Sequence, residues 1–294
     1  MNFGLCIITY NGEKTIEKTF ESIINQLKKP NKILIIDNNS SDKTKDLIKN
    51  FKNRYPKYVE LILNKKNYGV GYALNQGIKW ARENKFSWIA FSDQDSIFDK
   101  NVFYVMDEFI KDNIEDIAIV APVILSKNGK FLCFKKKDIK KLKKEDKINV
   151  DQVITSGSLI KVEVSDKIGL FRSDFFIDFI DYEFCLRLKK HNFKIIVLKK
   201  AKVYHSLGEE RLKKFLFLKL SFISHPSWRY YFLVRNELFT YLYEEKSVYL
   251  SFLFFLKFAK LFLKILVLEE EKFKKLVYIL KGLFHAFSKK LSEI

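Results

Sequence analysis

Short apolar runs alternate with stretches of helical periodicity through the first part of the chain. Residues 5–8, Leu-Cys-Ile-Ile, form the first run and read as a strand buried on both faces. Ile16, Phe20, Ile23, Ile24 and Leu27 then recur at helical spacing, and Pro30 marks the break. Residues 33–36 are a second buried strand ending in Asp37; Ser40 or Ser41 can cap the next helix, which runs to about Phe51. Residues 61–63 and 88–91 give a third and a fourth strand, the latter running straight into Asp93-Gln94-Asp95, and residues 117–121 give a fifth. Strands alternating with helices predict a mostly parallel sheet with helices on both faces. Ligands of such sheets bind at the carboxyl ends of the strands. Asp37 and Asp93 both fall at predicted strand ends, the first sign of chemistry.

The alternation then weakens. Residues 126–147 are rich in lysine with few apolar anchors, which predicts an exposed hairpin or loop. Residues 153–160 read as a strand containing Ser156-Gly157; a glycine there marks close approach of backbone or ligand. A helix over 181–191 and a strand pair at 194–198 and 202–204 lead to His205. Everything after it reads as helical. In residues 247–268 an apolar stretch is interrupted by Lys257, Lys260 and Lys264, which share one narrow helical face with Lys246. The longest charge-free run, 247–256, is too short to span a bilayer. The pattern predicts a helix lying in a membrane interface, repeated over 272–291. Packing against the rest of the chain, or in a homodimer, is the other arrangement such helices allow. The expected division is a sheet-based part over residues 1–210 and a helical, basic, membrane-associating extension over 211–294.

Composition narrows the picture. Hydrophobic residues make up 48% of the 294 positions, with only 4 Pro, so a large core can form and disorder is excluded. The formal net charge of +19 calls for an anionic partner: nucleic acid, anionic lipid or a phosphorylated substrate. Lys-rich stretches without regularly interleaved aromatics, and no recognition motif, argue against nucleic acid. Cys6, Cys133 and Cys185 are scattered without metal spacing and read as reduced thiols. The first apolar run is too short, and lacks a preceding basic residue, to be read as a signal peptide.

Several segments have the residue types that chemistry needs. Asp93 and Asp95, two carboxylates at a tight turn after a buried strand, suit a hard divalent cation, Mg2+ or Mn2+, whose charge would cover a diphosphate leaving group. Asp37, at the head of Asp-Asn-Asn-Ser-Ser-Asp, can accept hydrogen bonds from a base imide or a ribose hydroxyl, or can simply cap a turn. Asn67-Tyr68-Gly69-Val70-Gly71, with Asn75, suggests backbone held close to a ligand, yet it matches neither the dinucleotide fingerprint nor a phosphate-binding loop. Asp178, Asp181 and Glu183 lie in a mainly apolar segment, where a half-buried carboxylate can act as a base toward a hydroxyl. His205 is a candidate ligand for metal or diphosphate.

Together these segments resemble glycosyltransferase family 2, which has the GT-A fold, a Rossmann-like mixed sheet flanked by helices. The resemblance spans about residues 1–240. Thr9, Tyr10 and Asn11 look like that family's first turn, where base and ribose sit. Asp37 and Asn39 look like its base-binding segment, and Asn67, Gly71 and Asn75 like its third nucleotide segment. Asp93-Gln94-Asp95-Ser96 looks like its metal motif, implying metal on Asp93, Asp95 and His205 and nucleotide contacts from Asp93 and Gln94. Asp181 matches the family's catalytic base, although Ile180 stands where an acidic residue is usual, and Glu183 is a reserve. Ser156-Gly157, Asp178, Trp228-Arg229 and Arg235 are similar to the bacterial rhamnosyltransferase branch and would line an acceptor or donor-sugar pocket.

The resemblance implies an inverting hexosyltransferase using dTDP-L-rhamnose and a glycan or lipid-linked glycan acceptor. The basic charge, the apolar C-terminal helices and the scattered thiols point to a cytoplasmic protein placed peripherally on the inner face of the cytoplasmic membrane, drawn there by anionic lipid. A UDP-sugar donor, a polyprenyl-phosphate sugar synthase, and a membrane scaffold without catalysis are the competing readings.

Overall fold

The computed structural model describes residues 1–112, 116–206, 209–215 and 218–291. The chain divides into two compact units, Met1–Ser173 with Asp181–Ser206, and Asp174–Ile180 with Leu207–Ile294.

The first unit is built on β1 (Phe3–Thr9), β2 (Lys32–Asp37), β3 (Val59–Leu63) and β4 (Trp88–Asp93), interleaved with α1 (Ile16–Ile24), α2 (Thr44–Arg54) and α3 (Val70–Glu83). All seven residues of β1 are buried, because it lies inside the sheet, parallel to both β2 and β4. That is why its sequence is continuously apolar rather than alternating. Phe20 of α1 stacks on Phe51 of α2 over this sheet, with ring centroids 4.1 Å apart.

Beyond β4 the unit continues through β5 (Ile97–Phe98), α4 (Val102–Asp112), β6 (Ile117–Leu125), α5 (Lys136–Lys144), β7 (Lys147–Asn149), β8 (Leu159–Lys161), α6 (Val164–Ile168), α7 (Ile180–Lys190) and β9 (Lys194–Tyr204). The sheet order is β3-β2-β1-β4-β8-β6-β9-β5, with β7 paired to β9. β8 runs antiparallel to its neighbours β4 and β6, so the sheet is mixed. This is the GT-A arrangement, a central sheet flanked by helices.

Three details differ from the sequence-based expectation. The lysine-rich stretch contains a helix, α5, because Leu142 is fully buried and Asp138 nearly so, giving it an anchored face. Residues 153–158 lie outside any strand; they make a turn closed by the Ser158 N–H on the Thr155 carbonyl and an isolated bridge to Phe91 of β4, through the Gly157 N–H and the Ser158 carbonyl. The expected strand pair is one strand, β9, whose register against β6 shifts at Pro122, which has no N–H to donate.

The second unit opens, after the loop 174–180, with an antiparallel pair, β10 (Glu209–Phe215) and β11 (Leu218–Ser224). Helix was expected there. α8 (Arg229–Phe239), α9 (Val248–Leu268) and α10 (Lys272–Phe287) follow. Among the described residues no helix is long and apolar enough to cross a membrane.

Glu269, between α9 and α10, organises this unit. Its side chain is fully buried, and it pairs with Lys264 at 2.8 Å and Lys275 at 2.7 Å. Ser224 Oγ and Tyr230 OH each donate to it at 2.6 Å. Burial opposes the charge, but these donors outweigh it and hold the carboxyl at about 2, against an ordinary 4.5. A depressed carboxyl contributes stability that is complete above its unfolded value and is lost as pH falls toward the folded one. Glu269→Gln should therefore destabilise the second unit by about 3 kcal/mol at neutral pH, since it strands buried lysine charge. Urea unfolding should show the variant converging on the parent as the buffer is taken from pH 7 toward pH 3. A constant gap across that range would remove the ionic role of Glu269.

Candidate active site

The carboxyl ends of β1, β2 and β4 carry the first group of expected residues. Thr9 Oγ1 and the Tyr10 N–H donate to Gln94 Oε1 at 2.7 and 2.8 Å, and Gln94 Nε2 donates to the Tyr10 carbonyl at 3.1 Å. The side chain of Gln94 thus ties the exit of β1 to the exit of β4. Asp37 is fully buried, and both its oxygens accept from Ser40, one from the amide and one from the hydroxyl. Ser40 Oγ in turn accepts from the Asn11 N–H, and Asn11 Oδ1 accepts from the Ser41 N–H at 2.8 Å. Asn11 and Asn39 sit in the left-handed region, at φ 50° and 66°, as turn asparagines can. The result is two interlocked turns with Tyr10 exposed on them.

Asn38 Nδ2 donates to the Gly69 carbonyl at 3.2 Å, which places the Asn67–Asn75 segment beside this group. Asn67 Oδ1 accepts from the Gly69 N–H, starting α3. A Cβ on Gly71 would overlap the Arg172 carbonyl oxygen, so glycine is required there for helix-to-backbone approach. Asn75 exchanges two hydrogen bonds of 2.9 Å with the Phe171 backbone.

Past Gln94 lies the acidic cluster. Asp93, Asp95 and His205 offer ligand atoms that all lie within 4.8 Å of one another. His205 Nδ1 is 3.3 Å from Asp95 Oδ1 and Nε2 is 3.7 Å from Asp93 Oδ2. Two hydroxyls support the cluster, one of them on Ser156, which the sequence marks as a sugar-pocket residue. Ser156 Oγ accepts from the Asp93 N–H at 3.0 Å, and Ser96 Oγ bridges Ser156 Oγ at 2.7 Å and His205 Nδ1 at 3.0 Å. Ser96 had a sequence signal, its place directly after the Asp-Gln-Asp triplet. Gly157 makes the turn possible: its φ is +81°, and a Cβ would meet Pro122 at 2.8 Å.

Burial opposes a charge on His205, but the hydrogen bond to Asp95 and the charges of Asp93, Asp95 and Asp181 outweigh it and raise its pKa. That direction belongs to the protein's side chains alone; a bound cation would reverse it. Two carboxylate oxygens and one imidazole nitrogen fit a hard or borderline divalent ion such as Mn2+ or Mg2+. Octahedral bonds of about 2.1 Å space ligand atoms about 3 to 4 Å apart, so the cluster needs only slight contraction.

Asp181, half-buried in the first turn of α7, is near enough for its charge to act on His205. It also acts on Cys133, whose thiol is pushed up to about 12 by burial and by the charges of Asp181 and Asp93. Glu183 is different. It is 1% exposed and ion-paired with Arg187, whose Nε donates to Oε1 at 2.5 Å and Nη2 to Oε2 at 2.8 Å. Arg187 also donates to the Ile168 and Leu170 carbonyls, so the pair fastens α7 to the segment after α6.

The remaining expected residues belong to the second unit. Phe176, Asp178 and Phe179 are non-glycine residues at φ 62°, 65° and 65°. Each costs about 1 kcal/mol in that region and persists only where its surroundings enforce it. α8 does so. Arg229 grips the Asp178 carboxylate through two bonds, 2.8 and 2.7 Å, Asn236 Nδ2 donates to the carbonyls of Phe175, Ile177 and Asp178, and Arg235 donates to those of Asp174 and Phe175. Arg235 is fully buried. Trp228, at the head of α8, is exposed. Asn236 carries a sequence signal as part of the Arg235-Asn236 pair that resembles the rhamnosyltransferase branch; its three bonds to backbone are visible only once the loop has folded.

A mixed α/β sheet with an acidic, metal-suited cluster where β4 ends, beside interlocked polar turns at the ends of β1 and β2, defines the GT-A class of nucleotide-sugar transferase folds. A sequence model of Glycosyl transferase family 2 matches residues 5–169, more than half of the chain, and the chain belongs to that family. It is 29% identical over 254 residues to dTDP-rhamnosyl transferase RfbF of Shigella flexneri, covering 80% of this chain and 78% of that one. Among solved structures it is similar to S. aureus TarS 1-349 in complex with UDP-GlcNAc, with TM-score 0.58 and 18% identity over 98% of this chain and 73% of that one. It is also similar to GalNAc-T7 with UDP, GalNAc and Mn2+, with TM-score 0.58 and 16% identity over 70% of this chain and 44% of that one.

Gly157→Ala should lower stability by about 1–3 kcal/mol, because it adds both left-handed strain and a clash with Pro122. Ser156→Ala should lower the unfolding free energy by about 1–3 kcal/mol, because it removes the buried hydroxyl that accepts from the Asp93 N–H. Chemical denaturation of both variants checks this; a Gly157 variant as stable as the parent would contradict the geometry.

Proposed function

We propose that the chain is an inverting transferase that moves L-rhamnose from dTDP-L-rhamnose to a hydroxyl of a lipid-linked or surface-polysaccharide glycan. The observation that carries this reading is the convergence of Asp93, Asp95 and His205, with the charge of Asp181 in their neighbourhood. The choice of rhamnose rests on the likeness to the Shigella flexneri dTDP-rhamnosyl transferase over most of both chains.

In this reading Asp93, Asp95 and His205 hold a divalent cation, which supplies charge cover for a departing diphosphate. The GalNAc-T7 structure with Mn2+ supports that choice of ion. Thr9, Tyr10, Asn11 and Asn39 face the nucleoside, with Asp37 fixing their turns from behind and Gln94 locking them to the metal-binding turn. Asn67, Gly71 and Asn75 frame the nucleotide from α3. Ser156 and Gly157 set the floor near the donor sugar. Within the second unit Trp228 is exposed, and Arg229, Asp178 and Arg235 hold the loop 174–180.

Asp181 accepts the proton of the acceptor hydroxyl. The acceptor oxygen then bonds to the anomeric carbon as the bond to the diphosphate oxygen breaks, and the configuration inverts. Holding both partners in line accounts for a large part of the rate. Glu183, paired with Arg187, has a structural part. A UDP-sugar donor is the second reading, favoured by the fold likeness to TarS with UDP-GlcNAc; a polyprenyl-phosphate acceptor would use the same groups.

Asp181→Asn should cut transfer by about a hundredfold to ten-thousandfold while donor affinity stays near the parent value. Glu183→Gln should instead lower the melting temperature. Initial rates of nucleotide diphosphate release, with donor titrations on the same samples, test the assignment. A parallel loss of rate and donor affinity in Asp181→Asn would remove Asp181 from the chemistry, and the product anomer, read by NMR, must be opposite to that of the donor.

A further inference from the structure

In α10, Phe273, Val277, Leu280, Phe284 and Phe287 are all exposed, Phe273 at 81% and Phe284 at 67%. Their spacing of four and three residues lines them up as one continuous stripe along the helix. The opposite face is occupied: Lys275, Ile279, Gly282 and Ala286 are buried, and Gly282 packs against the Tyr231 backbone. So the stripe is not the face that holds the helix to its own unit.

α9 repeats the arrangement on a larger scale. Of its 21 residues only Phe254 and Ile265 are buried. Large exposed side chains, among them Tyr249, Phe252, Leu256 and Leu263, cover about half the circumference at roughly 100° per residue. Lys257, Lys260 and Lys264 fall along one border of that arc, although Lys257 pairs with Glu237 at 2.7 Å and Lys264 with Glu269 at 2.8 Å.

The charges decide what such a surface fits. Neither α9 nor α10 contains a single Asp or Glu. Lys274 and Lys281 run along one side of the α10 stripe, and Lys272, Lys289 and Lys290 are exposed at its ends. Apart from Glu270 and Glu271 just ahead of α10, the latter 3.6 Å from Lys274, a second copy of the same helix would set lysines beside the seam with no carboxylate within either helix to answer them, where paired helices use opposite charges. A bilayer with anionic headgroups answers both features, taking the apolar stripe below the headgroups and the lysines among them.

We propose that the exposed faces of α9 and α10 form a docking surface for an anionic lipid bilayer. The protein lies on the membrane through these two helices without crossing it. The formal net charge of +19 draws it to that surface from a distance. This inference goes beyond the transfer reaction and does not depend on the donor or on Asp181.

The test is flotation of the full chain with vesicles of phosphatidylcholine alone and of phosphatidylcholine with about 30% phosphatidylglycerol, at low and high salt. The parent should float with the anionic vesicles, and salt should weaken it. The double variant Phe273→Ser/Phe284→Ser, at two exposed positions and with an unchanged melting curve, should lose about tenfold in bound fraction. Lys274→Gln/Lys281→Gln should weaken binding to anionic vesicles and leave the phosphatidylcholine control unchanged. Equal flotation of parent and Phe double variant would overturn the proposal. So would a concentration-dependent dimer, seen by sedimentation, that the same double variant abolishes, because it would assign the face to a second copy.

Discussion

The hydrogen bonds of Gln94 to Thr9 and Tyr10 are the constraint on which the site rests. They join the ends of two central, parallel strands and fix the direction of the turn that follows β4. With Gln94 turned toward β1, its neighbours Asp93 and Asp95 converge on His205, which β9 delivers at its own end. The middle residue of the Asp-Gln-Asp triplet is therefore as specific as its carboxylates. Gly12 shows how tight the junction is: a Cβ there would overlap Gln94 Oε1.

β1, β2 and β4 were legible because they are buried on both faces, and burial on both faces demands a continuous apolar run between amphipathic helices. The acidic cluster was legible for a related reason, since carboxylates at strand ends are exposed by topology rather than by local sequence. What failed to show was set by distant contacts. α5 reads as a solvated lysine run because its anchoring rests on Leu142 and Asp138 alone. β10 and β11 lie in a stretch whose Lys, Leu and Phe content suits helix and strand alike, and pairing decides between them.

The site residues divide along the same line. Asp93, Asp95 and His205 come together as their chemistry suggested. Asn75, Gly71, Glu183 and Arg235 spend their functional groups, or the lack of one, on backbone and ion-pair contacts inside the fold. A motif residue can be needed for a site because it shapes the walls, and sequence pattern alone does not separate that from direct contact. The strained loop at Phe176–Phe179 is held inside the second unit by Arg229 and Asn236, both of which stand in segments that the sequence marks by resemblance.

Donor binding to the purified chain tests the site most directly, by titration calorimetry with dTDP-L-rhamnose, dTDP-glucose and UDP-N-acetylglucosamine, each with and without Mn2+. Binding should require the ion, prefer dTDP-L-rhamnose, and disappear in Asp93→Ala and Asp95→Ala. Binding that is indifferent to the ion and survives both substitutions would contradict the central claim that the Asp93–Asp95–His205 cluster holds the donor.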